Sequence, residues 1–259
     1  MPKLSDSEIL SFEQDGYLVV TEPVFPDREF AGLKSFAEEK FERADPKANE
    51  QAPQLIDCPH WSDPKMFEWL FSDELVSLVE PLIGPDIALF ASHFLLKPPG
   101  AGKRVPWHED SAYWKGRLEP MKVASVNLAL SPSCPDNGCM RVIPGTHRRS
   151  DSNYQEVEKP GQNVFMIEIH EGQFDESEAV DLAIEPNQAH LHHVSIIHGS
   201  NPNASSAARF CLAVRYFPTD VKFVEEKNPD FQIYLVRGRD RAGNHYSDPG
   251  RAYPPAGTI

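Results

Sequence analysis

At Gly84-Pro85 the apolar period of this chain switches from that of a helix to that of a strand, and it does not switch back. Upstream, Ser5 and Glu8 form a capping-box pattern. Ile9, Leu10 and Phe12 begin an apolar helical face that stops at Gly16. Residues 17–20 then read as a short strand. Asp27 is placed to cap a second helix carrying Phe30, Leu33, Ala37 and Phe41, and Leu75, Leu78, Val79 and Leu82 mark a third. Downstream, β-rich runs over 87–96, 123–130, 140–143, 164–169, 189–198 and 209–217 are each bounded by Pro, Gly, Asn or Asp. Helices followed by strands, with no βαβ alternation, predict a mainly β fold. The expectation is a double-stranded β-helix (jelly roll, cupin-like) with the N-terminal helices packed on one sheet. The 24 prolines suit many short strands and turns.

The length fits one domain over residues 1–259, divided into a helical part (1–85), a jelly-roll core (86–236) and a tail (237–259). The tail is rich in Gly, Pro and Arg and is expected to be partly mobile. Arg237, Arg239 and Arg241 read as salt-bridging residues of an acidic protein.

Lys plus Arg number 25 against 39 Asp plus Glu, a net charge of -14. Such a surface repels phosphate backbones and anionic lipid, so neither nucleic acid nor membrane is expected as a partner. No run approaches the length of a membrane span, and the start, MPKLSDSEIL, has no apolar signal-like region. Cys58, Cys134, Cys139 and Cys211 form no C-x-x-C pair. Reduced thiols in a cytoplasmic protein fit better than a zinc ribbon. The partner expected is a small molecule; the oligomeric state is not legible.

Trp107-His108-Glu109-Asp110 carries the strongest chemical signal. Residues two apart on a strand point to one side, so His108 and Asp110 can share a metal while Glu109 points away. Two His and one carboxylate on one octahedral face is the triad of non-haem iron(II) oxygenases. Taken alone, H-x-D is more often a strand-end His beside a solvated Asp. A third ligand must come from a distant strand, and His170, His190, His192, His193 and His198 cluster in one later region. His198 is the best placed, at the end of the apolar stretch 194–197 and before Gly199-Ser200. His190, His192 and His193 are expected around the site or at its rim. Arg209 lies eleven positions after His198, at the head of an apolar run. It suits a carboxylate ligand, or by itself a structural salt bridge.

The segment from His93-Phe94-Leu95-Leu96-Lys97-Pro98-Pro99-Gly100 to Pro106-Trp107-His108-Glu109-Asp110-Ser111-Ala112-Tyr113-Trp114 resembles the phytanoyl-CoA dioxygenase family. So do Asp136-Asn137-Gly138 through Pro144-Gly145-Thr146-His147, His198-Gly199-Ser200-Asn201-Pro202-Asn203 with Arg209, and Phe12 through Tyr17. The resemblance spans roughly residues 8–218, with its motifs in order. It implies iron(II) ligands at His108, Asp110 and His198, and a 2-oxoglutarate clamp at Arg209 supported by Ser200. It also implies a cosubstrate contact at Asn127 and a site-lining role for His93. The activity implied is that of an iron(II)- and 2-oxoglutarate-dependent dioxygenase. Such an enzyme hydroxylates an unactivated C–H bond with O2, releases succinate and CO2, and takes ascorbate as an activator. The carboxylate of Asp110 argues against halogenation, in which a small residue replaces it, and for hydroxylation, or for desaturation or ring chemistry by the same oxidant. Glu109 stands where the family often has Gln.

Two other classes fit parts of the same pattern. A zinc or manganese hydrolase or isomerase could use the same His/Asp/His site without 2-oxoglutarate, but it would have no need of Arg209. A catalytically silent binding protein would have no need of the triad. The acidic chain offers no evident basic surface for an acyl-CoA, so a small polar metabolite is the expected substrate class. Trp107, Tyr113 and Trp114 read as core or pocket wall, and His147 as structural.

Overall fold

The Ser5 amide donates to Glu8 Oε2 at 2.7 Å and the Glu8 amide to Ser5 Oγ at 3.4 Å, so the capping box closes and starts the first helix. In the computed structural model of the chain, residues 3–43, 55–100, 102–149 and 152–254 are described. The helical part comprises α1 (Asp6–Asp15), β1 (Tyr17–Val20), α2 (Asp27–Arg43), β2 (Leu55–Asp57), α3 (Pro59–Ser62), α4 (Phe67–Leu70) and α5 (Asp73–Ile83). Then come β3 (Ile87–Lys97), β4 (Val105–His108), α6 (Asp110–Trp114), β5 (Leu118–Glu119), β6 (Ala124–Ala129) and β7 (Met140–Val142). The remaining strands are β8 (Tyr154–Glu156), β9 (Ile167–Ile169), β10 (Val180–Leu182), β11 (Ala189–His193), β12 (His198–Ser200), β13 (Arg209–Pro218), β14 (Lys222–Phe223) and β15 (Tyr234–Arg237). Among the described residues no helix is long and apolar enough to cross a membrane.

Two antiparallel sheets form the jelly roll. The larger runs β1-β11-β6-β13-β3-β15, with β2 also on β3; the smaller runs β10-β7-β12-β4. The two faces of the larger sheet differ sharply. Leu18, Phe94, Val126, Leu128, Leu191, Leu212 and Val214 point outward and bury Leu33, Phe36, Leu70, Leu75 and Leu78 of the helices. The alternate positions point inward and are polar. Cross-strand register puts His93 and Asn127 beside Ala213, His190 beside Asn127, Ser125 between His192 and Arg215, and Lys97 beside Arg209. Met140, Val142, Leu182 and Ile196 fill one end between the sheets, against Tyr17 and Val19.

Several expectations are corrected. Leu10 is 64% exposed while Phe12 is buried. Two residues along a helix stand about 200° apart, so Leu10 faces water when Phe12 faces the core. The run 189–198 is not one strand. β11 ends at His193, residues 194–197 turn across, and β12 opens at His198 on the other sheet. Ile196 and Ile197 are buried within that turn, which gives it the apolar look of a strand. The run 164–169 keeps only β9. The tail from Gly238 is pinned as far as it is described: Arg241 Nε donates to Asp86 at 2.6 Å and the Tyr253 amide to the Trp61 carbonyl at 2.7 Å. Residues 255–259 lie outside the described residues. Arg237 pairs with Asp73 and Glu80, and Arg241 with Asp86.

Candidate metal centre

His108 ends β4 and faces His198, the first residue of β12, in direct register. Their ring centroids are 4.1 Å apart. Each ring turns one nitrogen to its own backbone: Nδ1 of His108 donates to the Pro106 carbonyl at 2.8 Å, and Nδ1 of His198 to the Ile196 carbonyl at 2.9 Å. That fixes the neutral tautomer with a bare lone pair on Nε2, the form a metal binds. Burial, with His108 beside it, holds His198 well below the ordinary histidine pKa. Asp110 Oδ1 lies 3.7 Å from His108 Nε2 and 3.8 Å from His198 Nε2, too far for hydrogen bonds. All three residues are buried, and their ligand atoms lie within 4.8 Å of one another. Two imidazole lone pairs and a carboxylate oxygen aimed at one point, with no proton donor between them, suit a divalent transition metal.

His108 and Asp110 meet by a different local route from strand alternation. Only His108 is in the strand; Glu109 is extended at φ -116° and ψ 133°, and Asp110 opens α6. Glu109 turns away from the ligands, as expected. Its carboxylate accepts from Ser152 Oγ at 2.9 Å and Tyr154 OH at 3.2 Å, and burial pushes its pKa up. Asp110 is driven the other way. Burial opposes its ionisation, but Arg215 and the nearby histidines hold its carboxyl well below the usual range. Its second oxygen, Oδ2, lies 3.5 Å from Arg215 Nη2 and 3.7 Å from His192 Nε2.

Arg209 is 6% exposed and has no carboxylate partner among the described residues, so a structural salt bridge does not account for it. Its Nη1 donates to the Gly138 carbonyl. Across the strand stands Lys97, equally buried, whose Nζ donates to Ser200 Oγ at 2.6 Å and to the Asn201 carbonyl. Burial, and then the neighbouring Arg209, push the Lys97 amine down to about 6. A buried guanidinium, a buried lysine amine and a hydroxyl, with no carboxylate beside them among the described residues, form a socket for an anion. The Asp136-Asn137-Gly138 turn builds its wall. Gly138 has φ 74°, and a Cβ there would sit 2.3 Å from the Asn201 carbonyl oxygen. Ser200 and His198 are two apart on β12, so socket and metal centre share a face.

The other site residues sort as follows. Asn127 is half-buried on the inner face between His190 and Ala213. His93 contacts Arg215 and Asp57, so it lines the wall beside Asp110 rather than the Lys97–Arg209 socket. The reason is spacing: four residues along a strand are about 13 Å. His190 and His192 are fully interior rather than at a rim, while the His193 ring lies tilted against His147 with centroids 5.2 Å apart and His170 is exposed. His147 Nε2 lies 3.2 Å from the Glu13 carbonyl, a structural contact. Tyr113 and Phe165 pack edge-on against His108 at 5.8 and 4.9 Å. Trp107 faces away, under Arg141 and beside Phe174, and Trp114 packs on Phe90 and Arg215. Sequence reasoning missed Arg215 and Lys97. The available signal was period two: 209, 211, 213 and 215 share one face of β13.

The family model described as phytanoyl-CoA dioxygenase (PhyH) matches residues 12–211. The human peroxisomal phytanoyl-CoA dioxygenase is 28% identical over 171 residues, covering 64% of this chain and 49% of its own length. The ectoine dioxygenase of Sphingopyxis alaskensis is 25% identical over 228 residues, covering 80% of this chain and 73% of its own. This chain spans about half the length of the phytanoyl-CoA dioxygenases it matches. Among solved structures, EctD from S. alaskensis with 2-oxoglutarate and 5-hydroxyectoine superposes with a TM-score of 0.73 at 22% identity, over 96% of this chain and 87% of that one. The non-heme monooxygenase ThoJ gives 0.71 at 22% identity, over 90% and 84%. The shared fold agrees with the sheets described above, and the family match runs from the end of α1 into β13, past His108, Asp110 and His198. The chain belongs to the phytanoyl-CoA dioxygenase family.

Proposed function

We propose that this protein is an iron(II)- and 2-oxoglutarate-dependent dioxygenase that hydroxylates a C–H bond of a small, polar metabolite. The observation that carries this reading is the pairing of two features. His108 Nε2, His198 Nε2 and Asp110 Oδ1 converge on one point, and an anion socket with no protein anion in it lies on the same face. His108, Asp110 and His198 would hold iron(II). Arg209, Lys97 and Ser200 would hold the distal carboxylate of 2-oxoglutarate, and Asn127 lies on the wall along its length. Iron(II), bound together with 2-oxoglutarate and O2, supplies the oxidant for hydroxylation, with release of succinate and CO2. Tyr113 and Phe165 cover the exposed side of His108 and shield it from water. No acid–base side chain is demanded.

A hydrolase or isomerase using zinc or manganese would share the three ligands but would leave the Lys97–Arg209 socket without a purpose. The polar substrate class is supported by the charge of -14 and by the partly open Asp57, His93 and Arg215 on the site wall. The acidic surface likewise argues against nucleic acid and membrane partners. All four cysteines are free, which fits a reducing compartment such as the cytoplasm.

Adding iron(II) and 2-oxoglutarate to the protein without oxygen should give a weak visible charge-transfer band. Admitting oxygen should bleach it and yield succinate, faster with substrate and with ascorbate present. Absence of both band and succinate across a broad metabolite panel would overturn the reading. Zinc, which has no redox chemistry, should bind silently and inhibit.

A further inference from the structure

The two oxygens of Asp110 face different neighbours. Oδ1 points at the ring nitrogens of His108 and His198, while Oδ2 lies 3.5 Å from Arg215 Nη2. The other terminal nitrogen of that guanidinium, Nη1, lies 2.9 Å from Nδ1 of His93. On the far side of the His93 ring, Nε2 lies 2.9 Å from Asp57 Oδ1, somewhat off the N–H direction. A guanidinium only donates, so His93 Nδ1 accepts and the ring proton sits on Nε2, toward Asp57. Four groups thus form a line across β2, β3, β13 and α6, running Asp57, His93, Arg215, Asp110. Strand register enforces part of it: Asp57 is opposite His93, and His93 is opposite Ala213, one pleat from Arg215. Trp114 lies against the guanidinium at 5.8 Å and limits its swing.

We propose that Arg215, His93 and Asp57 are positioning residues that hold Asp110 as a one-oxygen metal ligand. This rests on the reading of His108, Asp110 and His198 as the ligand set. A carboxylate can bind a metal through one oxygen or both. With three protein ligands on a six-position ion, a second carboxylate oxygen would occupy one of the three positions left; an α-keto acid chelate would fill the other two, and none would remain for O2. Arg215 is suited to prevent this. It is always charged, and its planar fork reaches Asp110 with one nitrogen and His93 with the other, which a lysine could not do. His93, backed by Asp57, fixes the fork's orientation. Without metal, Arg215 also supplies the partner that a buried carboxylate requires, so Asp110 is aimed before the ion arrives. His192, 3.7 Å from the same oxygen, adds a second contact.

Cobalt(II) is the probe, because its visible d–d spectrum reports coordination number without turnover. Apo protein is titrated with cobalt(II), and the spectrum and affinity are read for wild type, Arg215→Met, Arg215→Lys, His93→Phe and Asp57→Asn, with Asp110→Ala as the control. Arg215→Met should weaken cobalt binding about 10- to 100-fold, the usual effect of losing a group that orients a ligand. It should also alter the d–d bands and weaken 2-oxoglutarate binding to the cobalt form. Arg215→Lys should restore part of the affinity but not the spectrum. His93→Phe should change the bands in the same direction with a smaller loss, and it carries the test if Arg215→Met does not fold by circular dichroism. Asp57→Asn should show the smallest change of the same kind. A wild-type spectrum and affinity in folded Arg215→Met, or in His93→Phe, would overturn the proposal while Asp110→Ala still loses cobalt. If Asp110→Ala binds cobalt as tightly as wild type, the ligand set itself is wrong and the positioning role falls with it.

Discussion

Lys97 Nζ donates to Ser200 Oγ at 2.6 Å across 103 positions of sequence, and Arg209 stands beside Lys97 on the next strand. Among the described residues the two side chains have neutral acceptors, Ser200, Asn201 and Gly138, and no carboxylate. Removing either side chain should therefore affect a dicarboxylate far more than a metal. Arg209→Ala should weaken 2-oxoglutarate binding by at least about tenfold, since losing one partner of a buried charged pair costs on the order of 2–5 kcal/mol. Iron affinity should change little. Equal apparent constants for 2-oxoglutarate in wild type and Arg209→Ala would move the clamp elsewhere.

The same lysine sets a pH signature for stability. Its amine is pushed down to about 6 in the folded protein by burial and then by Arg209, against an ordinary value of 10.5. Between those values the unfolded chain binds a proton that the folded chain does not. Lys97 therefore contributes a stability that rises with pH across that window, by up to about 1.4 kcal/mol per pH unit. Denaturant unfolding from pH 6.5 to 9 should show this slope in wild type and a flatter one in Lys97→Met. Parallel slopes would mean that the amine stays protonated in the fold.

Asp110→Ala should abolish hydroxylation and sharply weaken iron(II) binding. Its effect on thermal stability should depend on metal. Without metal, the substitution removes a buried carboxylate but strands Arg215, a charge that then lacks its counter-ion, so some loss is expected. With iron(II), wild type should gain stability that the variant does not. Equal iron-induced shifts in melting temperature would contradict a role for Asp110 as ligand.

Gly138→Ala should be costly on two counts. The residue sits at φ 74°, and the added carbon would meet the Asn201 carbonyl. A non-glycine residue in that region costs about 1–2 kcal/mol before any clash. The Gly138 carbonyl also accepts from Arg209, so 2-oxoglutarate affinity should fall along with stability. Denaturation midpoint and isothermal titration check both. A neutral outcome would show that the turn yields without disturbing Arg209.

The order of helices and strands was legible because the apolar period changes at Gly84-Pro85, and the ends of β3, β6 and β13 fell near the expected places. That His108, Asp110 and His198 come together in space was legible from the H-x-D motif and the family resemblance. The turn 194–197 was not, because a buried turn and a buried strand look alike in an apolar run of four. Lys97 read as the end of a strand before Pro98, since its partner Ser200 is distant in sequence and close only once β12 crosses to the second sheet. Arg215 was obscured by its apolar neighbours Val214 and Tyr216, which belong to the opposite face. The short strands β2 and β15 carry too few residues to show a period.

The alternation along β13 has a consequence for how this protein can vary. Arg209, Cys211, Ala213 and Arg215 face the inside of the jelly roll, while Phe210, Leu212 and Val214 face the helices. Substitution at one parity can reshape the chemistry with little disturbance to the helix packing, and the reverse holds at the other parity. Adding or deleting a single residue early in the strand would exchange the two sets at once. The guanidinium groups would turn into the hydrophobic layer and the leucine and valine into the polar interior of the jelly roll. Divergence in this strand is therefore confined to point replacement, and changes in length are left to the loops at its ends.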